Sequence, residues 1–206
     1  MTVLLTDERV TGIPAIENGE PLVELFTRDV LTTGQQFARE SVADRLAMAD
    51  AFLPAGIRLH VVEALRPVDS QRQIWDTYRA EVARLHPGSS ERDLDVLASR
   101  FVSPIDVAPH VAGAAVDLTL VGAHGPLDLG TPIDATPEQS SGACFFAATN
   151  ISREARTNRA LLADVLTAAG LVNYPTEWWH WSYGDRYWAY VEQRPTALYG
   201  PAYSMS

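Results

Sequence analysis

Two short stretches carry side chains whose types and spacing could do chemistry. "HVAGAAVD" sets His110 and Asp117 seven residues apart, with Pro109 before and Gly113 between. "TEWWHW" sets Glu177 and His180 three residues apart among Trp178, Trp179 and Trp181. Tryptophan is costly to leave in water, and Glu and His are costly to bury without partners, so the second stretch needs a compensating arrangement. A turn at Gly113 could swing His110 toward Asp117. Imidazole and carboxylate are both good Zn²⁺ ligands, and three protein ligands with one open position is the catalytic pattern. His180 supplies a third ligand. Glu177 would then stand beside the open position as a base for a water molecule acidified by the metal, with the three tryptophans excluding bulk solvent.

Blander readings compete with this one. E-x-x-H alone arises often by chance, and a lone histidine in a strand is usually a hydrogen-bonded structural residue. Asp117 resists dismissal, because a carboxylate inside "AAVDLTL" must be paired, hydrogen-bonded or metal-bound. A salt bridge to an arginine is its structural alternative. His60, in a strand, His86, before Pro87, and His124, in "GAHGP", read as non-ligands. Cys144 is the single cysteine, so no internal disulfide and no cysteine-based zinc cluster can form, and it reads as a small buried or loop thiol. No G-x-S-x-G elbow supports a serine hydrolase.

These residues need elements to position them. "ARESVADRLAMADAFL" carries Val42, Leu46, Ala49 and Leu53 at helical spacing before Pro54. "IRLHVVEALRP" alternates as a strand that delivers Arg66 at its end. Ser70 and Gln73 form a possible capping box for a helix with Ile74, Tyr78, Val82 and Leu85 on one face, and Ser90 a cap for a short helix through Leu94, Leu97 and Phe101. "AAVDLTL" is a strand with Asp117 mid-way, residues 122–143 read as a long loop or lid, and Ser152 and Gly170 bracket another helix. "EWWHWSY" favours a strand. The mixture predicts an α+β fold, a mostly antiparallel sheet flanked by helices, in one domain over residues 1–206.

Composition narrows the partners. A 206-residue chain with 47% hydrophobic and 20% charged residues is ordinary for a soluble globular protein. The net charge of −10, with sixteen scattered arginines and no lysine, argues against nucleic acid. No apolar run suits a membrane span, and Asp7 and Glu8 interrupt any signal-type core, so a cytoplasmic location is expected. Nothing indicates an oligomeric state.

The order "LRP", "HVAGAAVDLTL", "LGTPIDATPE", "TEWWHW" resembles the D-alanyl-D-alanine dipeptidase family of zinc peptidases, the vancomycin-resistance type, across Leu59 to Trp188. The resemblance implies the zinc D,D-peptidase (hedgehog-like) fold and one Zn²⁺ held by His110, Asp117 and His180. It also implies Glu177 as general base and acid, Arg66 at the developing oxyanion, and Asp134 on the substrate's free ammonium group, with Trp179 also on the substrate side. The implied reaction is hydrolysis of a free dipeptide, D-Ala-D-Ala or a related D-amino-acid dipeptide, in cell-wall metabolism. The alternatives are a D,D-carboxypeptidase on longer wall peptides and a non-hydrolytic metal-binding protein. Ala108 and Glu63 stand where the family pattern usually has Ser and Asp.

Overall fold

The structure is a computed structural model that describes residues 2–99 and 101–202. In chain order its first elements are α1 (Glu8–Thr11), β1 (Leu22–Glu24), β2 (Leu31–Thr32), β3 (Phe37–Arg39), α2 (Glu40–Ala51), β4 (Arg58–Glu63), α3 (Val68–Leu85) and α4 (Glu91–Ala98). There follow β5 (Ala115–Gly122), β6 (Gly125–Pro126), α5 (Arg153–Ala168), β7 (Val172–Asn173), β8 (His180–Ser182) and α6 (Arg186–Val191).

The main sheet runs β2-β4-β5-β8-β7, with β6 folded back on β5. Only β2 and β4 pair in parallel; every other pairing is antiparallel. A small antiparallel ribbon joins β1 to β3. This is the α+β architecture with a mostly antiparallel sheet that the sequence predicts. Alternation along the central strands divides the sheet's two faces. Leu59, Val61, Val116, Leu118 and Leu120 join Leu46 of α2 and Leu162 and Leu166 of α5 in the main core. Asp117, between two of those positions, must point the other way.

Local signals explain most boundaries. Val42, Leu46 and Ala49 bury one stripe of α2. The Ser90 and Ser152 hydroxyls accept the Asp93 and Ala155 N–H groups, capping α4 and α5. Gly170, at φ +84°, turns the chain after α5 in the left-handed region.

Three expectations need correction. The helix α3 begins at Val68, directly after Pro67, so Ser70 lies inside its first turn and caps nothing. Its buried positions are Gln71 and Val82, with Trp75 and Tyr78 packing toward α4, while Ile74 and Leu85 are exposed. Only His180–Ser182 of "EWWHWSY" forms a strand; Glu177 sits in a turn whose N–H donates to the Tyr174 carbonyl at 3.0 Å. The stretch after β6 is held as a stitched loop. Buried Arg159 on α5 donates to the carbonyls of Leu129 (2.7 Å), Phe145 (2.7 Å) and Ala143 (2.8 Å).

Candidate active site

Strand pairing sets the first part of the site. Asp117 of β5 stands opposite Glu63 of β4 on one side and His180 of β8 on the other. Three polar residues therefore cross the sheet in one row. His110 arrives from a separate turn. Residues His110–Ala112 form a single 3₁₀ turn ended by Gly113 at φ +66°. A Cβ on Gly113 would lie 2.6 Å from Leu22 Cδ2, so both backbone sign and space favour glycine there. The turn is pinned by Arg66 N–H to the His110 carbonyl (3.1 Å) and Arg39 N–H to the Gly113 carbonyl (2.9 Å).

His110, Asp117 and His180 meet as a buried trio. His110 Nε2 is 3.1 Å from His180 Nδ1 and 3.3 Å from Asp117 Oδ1, and His180 Nδ1 is 3.0 Å from that oxygen. Ligand atoms about 2.0–2.1 Å from a tetrahedral zinc stand about 3.3 Å from one another, so the spacing fits that ion. The His110 Nδ1–H donates to the Ala64 carbonyl at 2.8 Å, which leaves the Nε2 lone pair facing the trio. Two imidazoles and one carboxylate are a donor set suited to Zn²⁺.

The electrostatics agree. Burial by itself would raise the Asp117 pKa, but the neighbouring His110 and His180 hold it well below the usual carboxylate range. Burial opposes charging His110, yet Asp117 outweighs it and raises the imidazole pKa. Glu177 Oε2 lies 3.7 Å from His180 Nδ1. Burial, then the charges of Asp117 and Asp134, push the Glu177 carboxyl well above its ordinary value.

Arg66 is fixed before any ligand arrives. Its Nε–H and one Nη2–H donate to the two Glu63 carboxylate oxygens, the first at 2.7 Å, and an Nη1–H donates to Gln71 Oε1 at 2.8 Å. Gln71 is 1% exposed and itself donates to the Ser103 carbonyl at 2.6 Å. Three of the five guanidinium N–H groups are thus used and two remain. The arginine's partner is Glu63 and not Asp117, which takes the two histidines instead. Sequence reasoning missed Gln71 because a lone Gln in an amphipathic helix carries no signal. Glu63 stood out only as a departure from the family pattern.

A cavity of about 540 Å³ opens over these groups, lined among others by Glu63, Arg66, Asp134, Glu177 and Trp179. Asp134 sits at the exposed rim at φ +64°, and partial burial with the charges of Asp117 and Glu63 raises its pKa. The tryptophans divide. Trp179 reaches the cavity, whereas Trp178 and Trp181 do not line it and pack in the main core, correcting the idea that all three wall the site. Their indole N–H groups are satisfied by Thr131 Oγ1 (2.8 Å) and the Trp178 carbonyl (3.1 Å). His60 bonds Thr33 in its strand, and Cys144 is a free buried thiol.

Residues 25–197 match the family model described as D-Ala-D-Ala dipeptidase. The chain belongs to the D-Ala-D-Ala dipeptidase family. Curated members include a D-alanyl-D-alanine dipeptidase of Synechocystis sp., 31% identical over 166 residues, and one of Escherichia coli, 30% identical over 128. Those alignments cover 71% and 61% of this chain but 66% and 55% of the relatives, so the chain spans about two thirds or less of their length. Among solved structures, a vancomycin-resistance D,D-pentapeptidase VanY variant in complex with Zn(II) aligns at TM-score 0.44 and 15% identity, covering 89% of this chain and 96% of that one. An LdcB LD-carboxypeptidase aligns at TM-score 0.48 and 19% identity, covering 87% and 76%. No helix among the described residues of this family member is long and apolar enough to cross a membrane.

Proposed function

We propose that this chain is a zinc-dependent hydrolase of free dipeptides, D-Ala-D-Ala or a related D-amino-acid dipeptide, acting as one domain with one ion per chain. The observation that carries the reading is the convergence of His110, Asp117 and His180 beside Glu177, in a cavity that also holds one fixed cation and one rim anion. Zn²⁺ held by the trio would supply Lewis acidity toward the scissile carbonyl and toward water. The chain's own residues do the rest. Glu177 accepts the proton of the attacking water and passes it to the leaving amine. Arg66, held by Glu63 and Gln71, offers its two remaining N–H groups to the negative charge that develops on the carbonyl oxygen. Asp134 receives the substrate's free ammonium group, and Trp179 shields the reacting bond from bulk water.

Family membership and the presence of both Arg66 and Glu177 support hydrolysis over metal binding alone, which needs neither residue. The deciding experiment is a hydrolysis screen of the zinc-loaded protein against D-Ala-D-Ala, L-Ala-L-Ala, mixed-chirality dipeptides and a longer D,D-peptide. Preferential cleavage of the longer peptide would make it a carboxypeptidase, and turnover of none would leave a metal-binding protein. The reading goes with a cytoplasmic setting, which cell fractionation tests.

A further inference from the structure

The cavity lining is mixed: beside the trio, Arg66 and Asp134 it includes the polar side chains of Gln36, Ser103 and Tyr174, and the hydrocarbon of Leu5, Ile74, Phe101 and Val102. Leu5 is the unexpected member, because it lies outside residues 25–197 that match the family model. It is 2% exposed and firmly held. Its N–H donates to the Tyr174 hydroxyl at 3.4 Å, the neighbouring Thr6 hydroxyl bonds the Ser99 hydroxyl at 2.8 Å, and Tyr174 packs edge-on to His180 with ring centroids 5.9 Å apart. Residues 2–12 are tied in this way to the segment that carries Phe101 and Val102 and to the metal-binding strand. Phe101 in turn packs on Tyr78, one turn beyond Ile74 on α3.

Resting on the dipeptidase reading above, we infer that Leu5, Ile74, Phe101 and Val102 form an apolar subsite that selects dipeptides bearing one side chain larger than methyl, of the leucine class. The cavity volume of about 540 Å³ lies in the range that holds drug-sized ligands. Two methyl groups would leave the accessible parts of Ile74 and Phe101 in contact with water, whereas each further CH₂ buried against them gains about fourfold in binding. No polar side chain belongs to this group of four, so contact with it rewards hydrocarbon.

The test compares the zinc-loaded parent with Leu5→Ala and Ile74→Ala, using D-Ala-D-Ala, D-Ala-D-Leu and D-Leu-D-Ala. Two readouts are taken: kcat/KM, and the dissociation constant by calorimetry in a Glu177→Gln background. We expect one leucyl dipeptide to exceed D-Ala-D-Ala by about tenfold or more in both, and each variant to cut that ratio about fivefold or more. Ile74 is 39% exposed and outside the buried core, so its variant decides the matter if Leu5→Ala fails to fold. Tighter binding of D-Ala-D-Ala, or a leucyl preference that survives both substitutions, overturns the subsite while leaving hydrolysis standing. Leucyl preference in binding with no turnover of any dipeptide overturns hydrolysis and keeps the subsite. Binding of none overturns both.

Discussion

Asp117 and His180 face each other in antiparallel register on neighbouring strands, with the carboxylate Oδ1 3.0 Å from the imidazole Nδ1. Register in a sheet is specified to the residue, because a slip of one would send either side chain into the hydrophobic core on the far face. The same rule places Glu63 on the other side of Asp117. Two of the three candidate metal ligands are thus fixed by sheet geometry, and the third by a glycine turn.

One Zn²⁺ is expected per chain, lost in His110→Ala and His180→Ala proteins that remain folded. Elemental analysis after dialysis checks this; parental zinc content in both variants would refute the assignment. Because Asp117 raises the His110 pKa in the metal-free protein in spite of burial, protons compete with the metal from above the ordinary imidazole range. Zinc affinity should therefore fall steadily as pH drops through and below neutrality. Binding at saturating zinc should also raise the melting temperature, with about 4 kcal/mol of stabilisation when free zinc is 1,000 times its dissociation constant.

Glu177→Gln should keep the metal and lower kcat by about 10²- to 10⁴-fold, since the amide preserves shape and removes the proton acceptor. Zinc content and turnover are measured on one preparation. Loss of metal would make Glu177 a ligand, and near-parental turnover would take it out of the mechanism.

Gly113→Ala should impair the site from outside it. The new methyl would sit 2.6 Å from Leu22 Cδ2, which can swing aside, but a backbone at φ +66° is strained for an L side chain, so the turn carrying His110 is driven to relax. We expect a loss of about 1–3 kcal/mol in stability together with weaker zinc binding. Denaturant melts and zinc titration test the pair; an unchanged metal affinity would show that the turn does not position His110.

The ligand residues were legible because each requirement is local: a carboxylate within an apolar alternation, a histidine before a glycine, and E-x-x-H beside tryptophans. What escaped depends on long-range contact. The buried guanidinium of Arg159 satisfies carbonyls 13 to 30 residues away and orders the loop that carries Asp134, yet on α5 it reads as one more arginine on a helix surface. The Ser70 cap signal fails because α3 already begins at Val68, directly after Pro67. Leu5 gave no signal at all, since only the fold brings it to the cavity.

Arg66 separates a structural role from a catalytic one. Its partner Glu63 is one third exposed, with a side chain at 34%, so Arg66→Ala leaves a carboxylate that water can reach. The stability loss should then be modest, about 1–2 kcal/mol, well short of the ~3–5 kcal/mol expected for orphaning a fully buried charge such as Asp117. If the two remaining guanidinium N–H groups meet charge that develops only in the transition state, kcat should fall by about 10²- to 10³-fold with little change in KM. Arg66→Lys should recover only part of this, because an ammonium cannot hold Glu63 with two parallel bonds and still bond Gln71 in the same plane. Glu63→Gln should act in the same direction but more weakly: it leaves the guanidinium present and loosens its clamp, so kcat falls less than in Arg66→Ala. Steady-state kinetics and thermal melts on the three variants decide the point. A large drop in melting temperature with parental kcat in the folded fraction would make Arg66 a structural residue, and equal losses in Arg66→Ala and Arg66→Lys would assign the whole effect to its planar fork.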